Sequence, residues 1–412
     1  MTAAIRRVAL VHNDYRTASP SGEDAVVEEE GTVLRGLGIE VGRYRRSNDR
    51  LENASVGRLV LTALGTPWSW ASYKGLRRFI ADFKPDIVHI HNTFPLVTYS
   101  AVDACYRSSV PCVVTLHNYR CICPNGMMLR AGRPCQLCLD NHGTWSALRH
   151  RCYRQSLRAT VPIAASIELE RIRKSLRRRA DVVIALTQFQ ACMLVGDGFR
   201  EGNIVVKPNC IPFRGEPLSA DQRDLDFVFV GRLSEEKGLQ VLLDAWSALD
   251  GRGGRLAIIG DGPLRPLVAG SLPPLVEYLG RKSRPEVLAH LRRAKALLVP
   301  STWYEGFPLT VVEAFSCGVP VIASRIGGLP EIVKERETGL LVQPGNPQEW
   351  AAVVSSCLED RGNLAAMGAR AFSAFKDLYC SERNGQMLLD IYESAIARHG
   401  SAVSSPSTRF PR

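Results

Sequence analysis

The chain has 412 residues, 45% of them hydrophobic and 23% charged, which is typical of a globular protein and excludes a disordered or fibrous one. It is too long for one ordinary core, so we expect two domains. It starts in a strand-like run without a secretory signal, and no apolar stretch reaches the roughly 18 residues that span a bilayer. These features predict a soluble, cytoplasmic protein, whose 12 cysteines are thiols or metal ligands rather than disulfides.

The net charge of +11 is unevenly distributed along the chain. Residues 1–210 contain 29 Lys and Arg against 18 Asp and Glu, whereas the remainder is balanced. The densest basic cluster comprises Arg171, Arg173, Lys174, Arg177, Arg178 and Arg179, which at helical spacing predicts one broad basic face. Such a face suits an anionic membrane surface, at about 1 kcal/mol per basic residue. The alternative is an ordinary solvated helix surface.

Short β-branched runs alternate with amphipathic segments along the whole chain, which predicts parallel strands joined by crossover helices. The predicted strands lie at residues 8–11, 39–43, 87–91, 112–117 and 182–186, then at 227–230, 256–259, 276–279, 296–299, 319–323 and 340–342. Prolines near residue 210 interrupt this pattern and indicate a domain boundary. We therefore expect an α/β protein with domains at residues 1–210 and 211–381, a helix at 382–400 that crosses back to the first domain, and a disordered tail at 401–412.

In the first domain, candidate functional residues follow three of the predicted strands. Ser21-Gly22-Glu23-Asp24 opens a predicted helix at residues 25–37, and Gly22 permits close approach of a ligand to the backbone. Two later strands end in His91-Asn92 and His117-Asn118. One histidine at a strand end is most often a satisfied polar residue, but two at equivalent ends indicate a site.

An aromatic segment and a cysteine-rich segment also lie in this half. Trp68, Trp70 and Tyr73 end an apolar stretch at residues 56–73, which predicts either burial between helices or contact with a membrane interface. In the insert at residues 121–152, the thiols of Cys123, Cys135, Cys138 and Cys152 suit a tetrahedral structural zinc site. Because their spacing is not that of a standard zinc ribbon, reduced, uncoordinated thiols are the alternative.

The second domain begins with a candidate phosphate site. The strand at 227–230 is followed by Gly231-Arg232 and then by Lys237-Gly238, which opens a helix at residues 239–249. A helix N-terminus offers free N–H groups and the two cations supply countercharge, although a plain surface turn has the same elements. The chain lacks a P-loop ending and a Gly-x-Gly-x-x-Gly after a strand, which argues against NTPases and dehydrogenases.

Later turns of the second domain add ligand-binding candidates. Gly262, and Arg281 with Lys282, follow the next two strands and can present main-chain groups to a base. The segment from Glu305 through Gly306, Phe307, Pro308 and Leu309 then leads to a helix that begins near Pro308 and carries Glu313 about one and a half turns in. Because carboxylates accept hydrogen bonds from vicinal hydroxyls, two of them near a phosphate site suit a nucleotide sugar.

With these motifs, the sequence resembles the family 4 retaining glycosyltransferases, also called glycosyl transferases group 1. The resemblance covers nearly the whole chain. It depends on Gly231-Arg232 with Lys237-Gly238, on Glu305 and Glu313 with seven residues between them, and on the segments at 327–331 and 338–342. It implies the GT-B fold, in which two Rossmann-like, doubly wound parallel-sheet domains face each other across an interdomain cleft.

The resemblance also implies roles for individual residues. Arg232 and Lys237 would bind the donor diphosphate, Glu305 would contact the donor sugar or reacting centre, and Glu313 would hold the ribose. His117 would contact the transferred sugar, with His91 and Asn92 toward the acceptor. The expected catalytic residues are Glu305, His117, Arg232 and Lys237, and the expected donor-binding residues are Gly22, Arg232, Lys237, Gly262, Arg281, Lys282, Gly306, Phe307, Pro308, Leu309 and Glu313.

The function expected from these residues is transfer of a sugar, as by a hexosyltransferase, from a nucleotide diphosphate donor to a saccharide or lipid-linked acceptor. The resemblance implies that the anomeric configuration is retained. Fixed cations at the diphosphate stabilise the leaving group, so no catalytic metal is required. We expect the enzyme to act in polysaccharide or lipopolysaccharide synthesis, at the inner face of the membrane, with the nucleotide sugar, the acceptor and anionic lipid as partners and no nucleic acid.

Two other functions fit parts of the sequence. A nucleotide-sugar epimerase of similar architecture would interconvert the donor without transferring it, and would leave the basic first domain without a role. A nucleic-acid-binding protein would use the cysteine cluster and the arginine-rich segment, but would leave the segment from Glu305 to Glu313 unexplained.

Overall fold

The computed structural model describes residues 5–15 and 21–404. Its strands are β1 (Arg7–Asp14), β2 (Glu40–Ser47), β3 (Ile87–Ile90), β4 (Cys112–Leu116), β5 (Leu129–Arg130), β6 (Arg133–Pro134), β7 (Val182–Ala185), β8 (Ile204–Val206), β9 (Leu225–Val230), β10 (Leu256–Ile259), β11 (Val276–Gly280), β12 (Ala294–Val299), β13 (Val321–Ser324) and β14 (Gly339–Val342). Within the described residues, no helix combines the length and apolar character that crossing a membrane requires.

Helices connect most of these strands. They are α1 (Gly22–Gly36), α2 (Val56–Gly65), α3 (Trp70–Phe83), α4 (Ser100–Arg107), α5 (Leu137–Asp140), α6 (Trp145–Arg149), α7 (Leu157–Arg173), α8 (Gln188–Gly196), α9 (Leu239–Leu249), α10 (Arg265–Ala269), α11 (Arg284–Arg293), α12 (Leu309–Ser316), α13 (Leu329–Ile332), α14 (Pro347–Glu359), α15 (Arg361–Ala374) and α16 (Ser381–Ser404). Short 3-10 helices occupy Asn48–Leu51, Glu201–Asn203, Ala220–Gln222 and Glu235–Lys237, and π-helical turns occupy Ser175–Arg179 and Phe375–Tyr379.

The chain forms two compact units. Of the described residues, the N-terminal unit contains those up to Met128, Gln136–Asn209 and those from Asn384 onward. The C-terminal unit contains Leu129–Cys135 and Cys210–Arg383. Each unit has its own six-stranded sheet, and each is described separately below.

The N-terminal unit is built on a parallel sheet with the strand order β2-β1-β3-β4-β7-β8. Its inner strands are mostly apolar and largely buried because helices cover both faces of a parallel sheet. Buried residues of β1, β3, β4 and β7 form its core together with Leu388, Ile391, Tyr392 and Ala395 of α16. The last helix of the chain is therefore part of the N-terminal core.

The C-terminal unit has a parallel sheet with the strand order β11-β10-β9-β12-β13-β14. Its core includes the buried rings of Phe227, Trp246 and Trp350. The chain runs outward from β9 through β10 to β11 and then returns to β12 on the other side of β9. Because the strand order reverses between β9 and β12, the carboxyl ends of these two strands flank the crevice where doubly wound sheets bind ligands.

Each predicted strand is present, with ends that differ by a few residues. Strand β8 and the short hairpin of β5 and β6 were not predicted, because strands of two or three residues are too short to show the periodicity of hydrophobic residues. The predicted strand at 319–323 begins only at Val321, because the N–H of Val319 bonds to the carbonyl of Ala314 and Pro320 has no N–H to donate. The prediction of a disordered tail is wrong for residues 401–404, which extend α16, whereas residues 405–412 lie outside the described part.

Candidate functional site

The turn after β9 is held in place by neighbouring turns of the same sheet edge. The N–H of Leu233 donates to Asp261, and the N–H of Leu264 donates back to Leu233. Gly238 caps α9 with a φ of 72°, and a Cβ there would lie 1.9 Å from the carbonyl oxygen of Pro300. Only glycine fits this position, because both its left-handed conformation and the close approach of the two turns exclude a side chain.

Lys237 and Glu305 meet at the carboxyl ends of β9 and β12. The Lys237 Nζ atom lies 2.7 Å and 3.0 Å from the two carboxylate oxygens of Glu305. The hydroxyl of Ser301 donates to the same carboxylate at 2.6 Å, and Nζ lies 5.3 Å from the centre of the Trp303 ring. Glu305 is buried, whereas Lys237 is partly exposed. A fixed cation and a fixed carboxylate thus lie together at the strand-order reversal.

Glu313 is positioned by α12, which begins after Pro308. Its carboxylate is buried and accepts a hydrogen bond from Arg284 Nε at 3.0 Å. Burial raises the pKa of Glu313, and the charge and hydrogen bond of Arg284 oppose that rise. Arg284 was not predicted as a site residue, although it lies in the first turn of α11, where Ser283 and Glu286 form a capping box.

The other residues predicted at this edge are present but less closely connected. Arg232 and Arg281 are exposed, and within the described chain neither guanidinium has an ion-pair partner. Lys282 lies 3.8 Å from Glu286, and a Cβ at Gly262 would lie 2.4 Å from the carbonyl oxygen of Leu233. The loop residues Gly306, Phe307, Pro308 and Leu309 lie between Glu305 and the body of α12, with the Phe307 ring 6.0 Å from the Tyr379 ring. Of the predicted donor-site residues, Lys237 and Glu305 are the pair whose contact the structure defines most closely.

One acidic motif of the second unit was missed in the sequence. Asp224-Leu225-Asp226 has the spacing of a metal-binding Asp-x-Asp. It lies at the amino end of β9, the edge of the sheet opposite to Lys237. Asp224 pairs with Arg293, and Asp226 pairs with Lys295 at 2.7 Å. Both carboxylates are thus neutralised by side chains of the same unit.

In the N-terminal unit, the two predicted histidines are in direct contact. His91 Nδ1 and His117 Nε2 are 3.1 Å apart, and the two rings stack at an angle of 17°. Both side chains line a pocket that also includes Asn92, Asn118 and Arg120. Asn118 Nδ2 donates to Glu23 in the first turn of α1, at 2.9 Å. Gly22 is the first residue of α1, after the capping box of Ser21 and Asp24.

Below this pocket, the structure reveals a buried network that sequence analysis did not identify. Glu30 of α1 forms an ion pair with Lys207 at 2.8 Å, and both side chains are buried. His89 bonds to Thr115 and to Tyr392, each at 2.8 Å. Burial lowers the pKa of His89 and of His91 far below the usual value and also lowers that of His117. The three imidazoles are thus neutral at pH 7.

The zinc site predicted in the insert is neither supported nor excluded by the clusters of possible metal ligands. Among the described residues, the two groups with three possible ligand atoms within 4.8 Å of one another are Glu30, His89 and His91, and His12, Asp14 and Asp24. Neither group contains a cysteine. Zinc on Cys123, Cys135, Cys138 and Cys152 therefore stays a prediction, which metal analysis of the purified protein can test.

The basic segment from Arg171 to Arg179 does not form the predicted face. Helix α7 ends at Arg173, a π-helical turn follows, and four of the six basic side chains turn toward acidic partners. Arg171 and Arg177 pair with Asp197, and Arg177 also pairs with Glu170. Arg173 and Arg179 pair with Asp103, at 2.9 Å and 2.5 Å. The prediction of one broad basic face is therefore wrong, because these arginines bind the unit's own carboxylates.

Two family models match the chain, and together they cover most of it. Residues 21–210 match a domain described as Glycosyl transferase 4-like, and residues 224–360 match one described as Glycosyl transferases group 1. Over 209 residues the chain is 32% identical to a D-inositol 3-phosphate glycosyltransferase of Rhodococcus opacus. That alignment covers 46% of this chain and 46% of the relative, so the chain spans under half the length of this curated relative.

Solved structures share the fold over nearly the full length. HepE from Anabaena, crystallised with UDP, has a TM-score of 0.64 at 19% identity, over 95% of this chain and 100% of that one. Sucrose-phosphate synthase from Thermosynechococcus elongatus has a TM-score of 0.69 at 19% identity, over 95% of this chain and 99% of that one. At such identity the likeness shows the fold alone, and the predicted two-sheet GT-B class is confirmed.

Proposed function

Because this chain belongs to the family 4, group 1 glycosyltransferases, a family of transferase enzymes, we propose that it moves a hexosyl residue from a nucleotide diphosphate donor to a saccharide or lipid-linked acceptor. The acceptor is a precursor of a cell-surface polysaccharide or lipopolysaccharide, and the anomeric configuration is retained. UDP is the first donor nucleotide to test, since HepE was crystallised with UDP and with UDP-glucose.

The observation that supports this function best is the pairing of Lys237 with Glu305 at the strand-order reversal of the C-terminal sheet. Breaking the anomeric bond puts negative charge on the diphosphate and positive charge on the sugar ring. In our proposal, Lys237 turns from Glu305 to the arriving diphosphate, with Arg232 as a second cation. Glu305, released from Lys237, then faces the sugar, where its carboxylate stabilises the positive ring.

The remaining parts of the donor are assigned by chemistry. Glu313 accepts hydrogen bonds from the ribose hydroxyls, which replace the hydrogen bond that its carboxylate accepts from Arg284 in the structure. The turns at Gly262, Arg281 and Lys282 hold the base, and the loop from Gly306 to Leu309 donates backbone N–H groups to the phosphate. His117 contacts the transferred sugar, with His91 and Asn92 on the acceptor side and Gly22 close to the diphosphate. This mechanism requires no metal.

Structural observations weigh against the alternative of a nucleic-acid-binding protein. The arginines that would contact phosphates are paired with Asp103, Asp197 and Glu170. The epimerase alternative shares the donor site and differs only in the outcome for the donor. It is distinguished by experiment, since an epimerase converts the donor sugar in the absence of any acceptor.

The test is a product assay on the purified chain. UDP- and GDP-linked hexoses are incubated with and without polyisoprenoid-linked saccharide acceptors, and sugars and free nucleotide are measured by mass spectrometry. We expect acceptor-dependent release of nucleoside diphosphate and a glycosylated acceptor whose new bond has the anomeric configuration of the donor. Interconversion of the donor sugar without acceptor, or no turnover with any pair, would contradict the proposal.

We also propose that the protein works at the cytoplasmic face of the membrane as a peripheral protein, through helix α2. No residue of α2 is buried, and Val56, Leu61 and Leu64 are 79%, 70% and 73% exposed. Exposing this much apolar side chain to water is unfavourable, at roughly 25 cal/mol per Å². A helix of this kind stabilises itself by lying in a lipid interface.

The segment after α2 carries aromatic and cationic side chains suited to anionic headgroups. Four residues separate α2 from α3, at whose start Trp70 is 59% exposed. The rings of Trp68, Trp70 and Tyr73 lie 5.1 to 5.3 Å from one another. Lys74 lies 5.2 Å from the Trp70 ring and Arg77 5.7 Å from the Tyr73 ring. Charge complementarity thus favours an anionic bilayer as the partner.

Vesicle flotation tests this docking surface. We expect the protein to float with phosphatidylglycerol-containing vesicles and much less with pure phosphatidylcholine. The double variant Leu61→Gln/Leu64→Gln should stay in solution, whereas the control Leu267→Gln, at an exposed leucine of the C-terminal unit, should float like the wild type. Unchanged flotation of the double variant, or the same binding to both vesicle types, would contradict the proposal.

A further inference from the structure

A series of polar side chains leads from a buried ion pair to His117 at the pocket. Lys207 Nζ lies 2.8 Å from Glu30 Oε1. The other carboxylate oxygen, Oε2, lies 3.4 Å from His91 Nε2, and within the described chain neither of these two buried atoms has a hydrogen-bond partner. His91 Nδ1 is 3.1 Å from His117 Nε2. The last atom of the series, His117 Nδ1, is buried and without a partner, and His117 lines the pocket.

The charges in this network fix where each proton lies. Burial acts to raise the pKa of Glu30, but the charge and hydrogen bond of Lys207 lower it, so Glu30 is a carboxylate. A carboxylate attracts an N–H and repels a lone pair, so the proton of neutral His91 lies on Nε2, the atom that faces Oε2. His91 Nδ1 then carries a lone pair and can only accept a hydrogen bond. The 3.1 Å contact is therefore satisfied only if His117 Nε2 carries the proton and donates it.

We infer that Glu30 and Lys207, acting through His91, are positioning residues that hold His117 in its Nε2–H tautomer and present the Nδ1 lone pair to a sugar hydroxyl in the pocket. The identity of the hydroxyl as part of a carbohydrate substrate rests on the proposed function. The tautomer does not, because it follows from contacts within the N-terminal unit. In this scheme His117 offers its ring nitrogen to the sugar hydroxyl, and Glu30, Lys207 and His91 act on that hydroxyl only through their contacts with His117.

A metal ion on Glu30, His89 and His91 is the other use of such a cluster, since their ligand atoms lie within 4.8 Å of one another. The partners of these side chains argue against it. Both ring nitrogens of His89 are occupied, by Tyr392 and Thr115 at 2.8 Å, and Glu30 already binds an ammonium group. A divalent cation would have to displace these bonds next to the positive charge of Lys207, which Coulomb repulsion in a buried site disfavours.

The tautomers are measurable without substrate. In protein labelled with ¹⁵N histidine, long-range ¹H–¹⁵N spectra distinguish a protonated ring nitrogen from one that carries a lone pair, and comparison with His117→Gln and His91→Gln proteins assigns the signals. We expect both His91 and His117 of the wild type to be neutral and protonated on Nε2. A His117 that is protonated on Nδ1, or on both nitrogens, at pH 7.5 overturns the inference, whatever the enzyme transfers.

The substitution Glu30→Gln should reverse the direction of the hydrogen bonds that run from residue 30 through His91 to His117. The Lys207 ammonium needs an acceptor, so the amide oxygen of the new side chain faces Lys207 and its NH₂ group faces His91. His91 Nε2 must then accept, its Nδ1 donates to His117 Nε2, and the proton of His117 moves to Nδ1. We expect this exchange of tautomers together with a loss of transfer of about tenfold or more, because the pocket now offers a donor to a hydroxyl that needs an acceptor, while affinity for the nucleotide stays unchanged.

The matched control is Glu28→Gln, an isosteric change on the same helix at an exposed glutamate that pairs with Arg43 and Arg45. It should leave both tautomers and the transfer rate unchanged. Glu30→Gln protein with wild-type tautomers, or with exchanged tautomers and full activity, overturns the inference. If no donor and acceptor support turnover of the wild type although its tautomers are as expected, the proposed function fails and the network stands.

Should Glu30→Gln fail to fold, the double variant Glu30→Leu/Lys207→Leu removes the ion pair as a unit, a change that buried pairs often tolerate. His91 then has no charged neighbour to choose its tautomer. We expect a mixture of tautomers at His117 in this protein, and a His117 that stays entirely in the Nε2–H form overturns the inference.

Discussion

The two units place their functional side chains by different means. In the C-terminal unit, Lys237 meets Glu305 from a position 68 residues away, and Arg284 meets Glu313 from 29. In the N-terminal unit, Lys207 meets Glu30 across 177 residues and His89 meets Tyr392 across 303. The first site consists of short turns along one sheet edge, whereas the second is assembled from distant parts of the chain. Motifs of adjacent residues therefore reveal the first site and not the second.

Burial separates the two regions further. The cations of the C-terminal site are partly open to solvent, with Lys237 and Arg284 25% and 38% exposed, although the carboxylates that they bind are buried. Glu30, Lys207, His89 and His91 are each at most 3% exposed. We therefore expect changes at the open site to affect ligands more than folding, and changes in the buried network to affect folding as well. The predictions below test this difference.

The largest effect on folding should come from Lys207→Met. It leaves Glu30 buried without its cation, and breaking a buried ion pair costs about 3–5 kcal/mol of unfolding free energy. The exposed pair of Arg325 and Glu335 is the matched comparison, where Arg325→Gln should cost less than about 1 kcal/mol. Urea-unfolding midpoints measure both. Equal losses in the two variants would show that burial does not distinguish the pairs.

The largest effect on catalysis should come from Glu305→Gln. Removing a preorganised charge that faces the reacting sugar reduces kcat by about 100- to 1000-fold. The melting temperature should change little, because the new amide still accepts hydrogen bonds from Ser301 and Lys237. Glu335→Gln, at a half-exposed glutamate of the same unit, is the control. Full turnover by the Glu305 variant would remove this residue from the mechanism.

Glu313→Gln should weaken donor binding without abolishing turnover. A hydrogen bond to a charged group contributes about 1.5–3 kcal/mol, which corresponds to a roughly tenfold or greater rise in the Kd for the nucleoside diphosphate. Titration calorimetry with UDP measures it, and Glu286→Gln, at the exposed capping glutamate of α11, should bind as the wild type does. If the affinity for UDP falls by the same factor in both variants, Glu313 does not hold the ribose.

The smallest effect concerns the pH dependence of stability at His399 of α16. The carboxylate of Asp181, 3.2 Å away, raises the pKa of His399. A group whose pKa is higher in the folded protein stabilises it fully below the unfolded value of about 6.5, and loses that contribution as the pH rises through the folded value. The unfolding midpoint of His399→Gln should therefore fall below that of the wild type at pH 5.5 and approach it at pH 9. A pH-independent difference would contradict the pairing.

Much of the fold could be predicted because parallel strands buried on both faces are mostly apolar, as in β4 and β12. The turns that carry the candidate donor residues could also be placed at the carboxyl ends of their strands, since each turn directly follows a strand in the sequence. The partners of Glu30 could not, because nothing local to α1 indicates that Lys207 lies beside it. The same limit explains why the prediction of a basic face was wrong. Along the chain, Asp103 lies 70 residues from Arg173 and Asp197 lies 26 residues from Arg171, the arginines that they neutralise.

The exposure of α2 could not be predicted either, because the sequence indicates an apolar helix but does not show whether another element covers it. An apolar segment followed by Trp68, Trp70 and Tyr73 fits burial and a lipid interface equally well. In the structure the leucines of α2 are exposed, whereas Trp68 is partly buried, with its indole N–H bonded to Asp103 at 2.8 Å.

The central claim is that a nucleotide sugar binds at the carboxyl edge of the C-terminal sheet, held by Lys237 and Glu313. Thermal unfolding of the wild type and of the Lys237→Met/Glu313→Gln variant, with a panel of nucleoside diphosphates and their hexoses, tests it most directly, because a ligand of the native state raises the melting temperature. We predict a concentration-dependent rise for at least one nucleotide sugar in the wild type and none in the variant. No rise with any compound, or the same rise in both proteins, would contradict the claim.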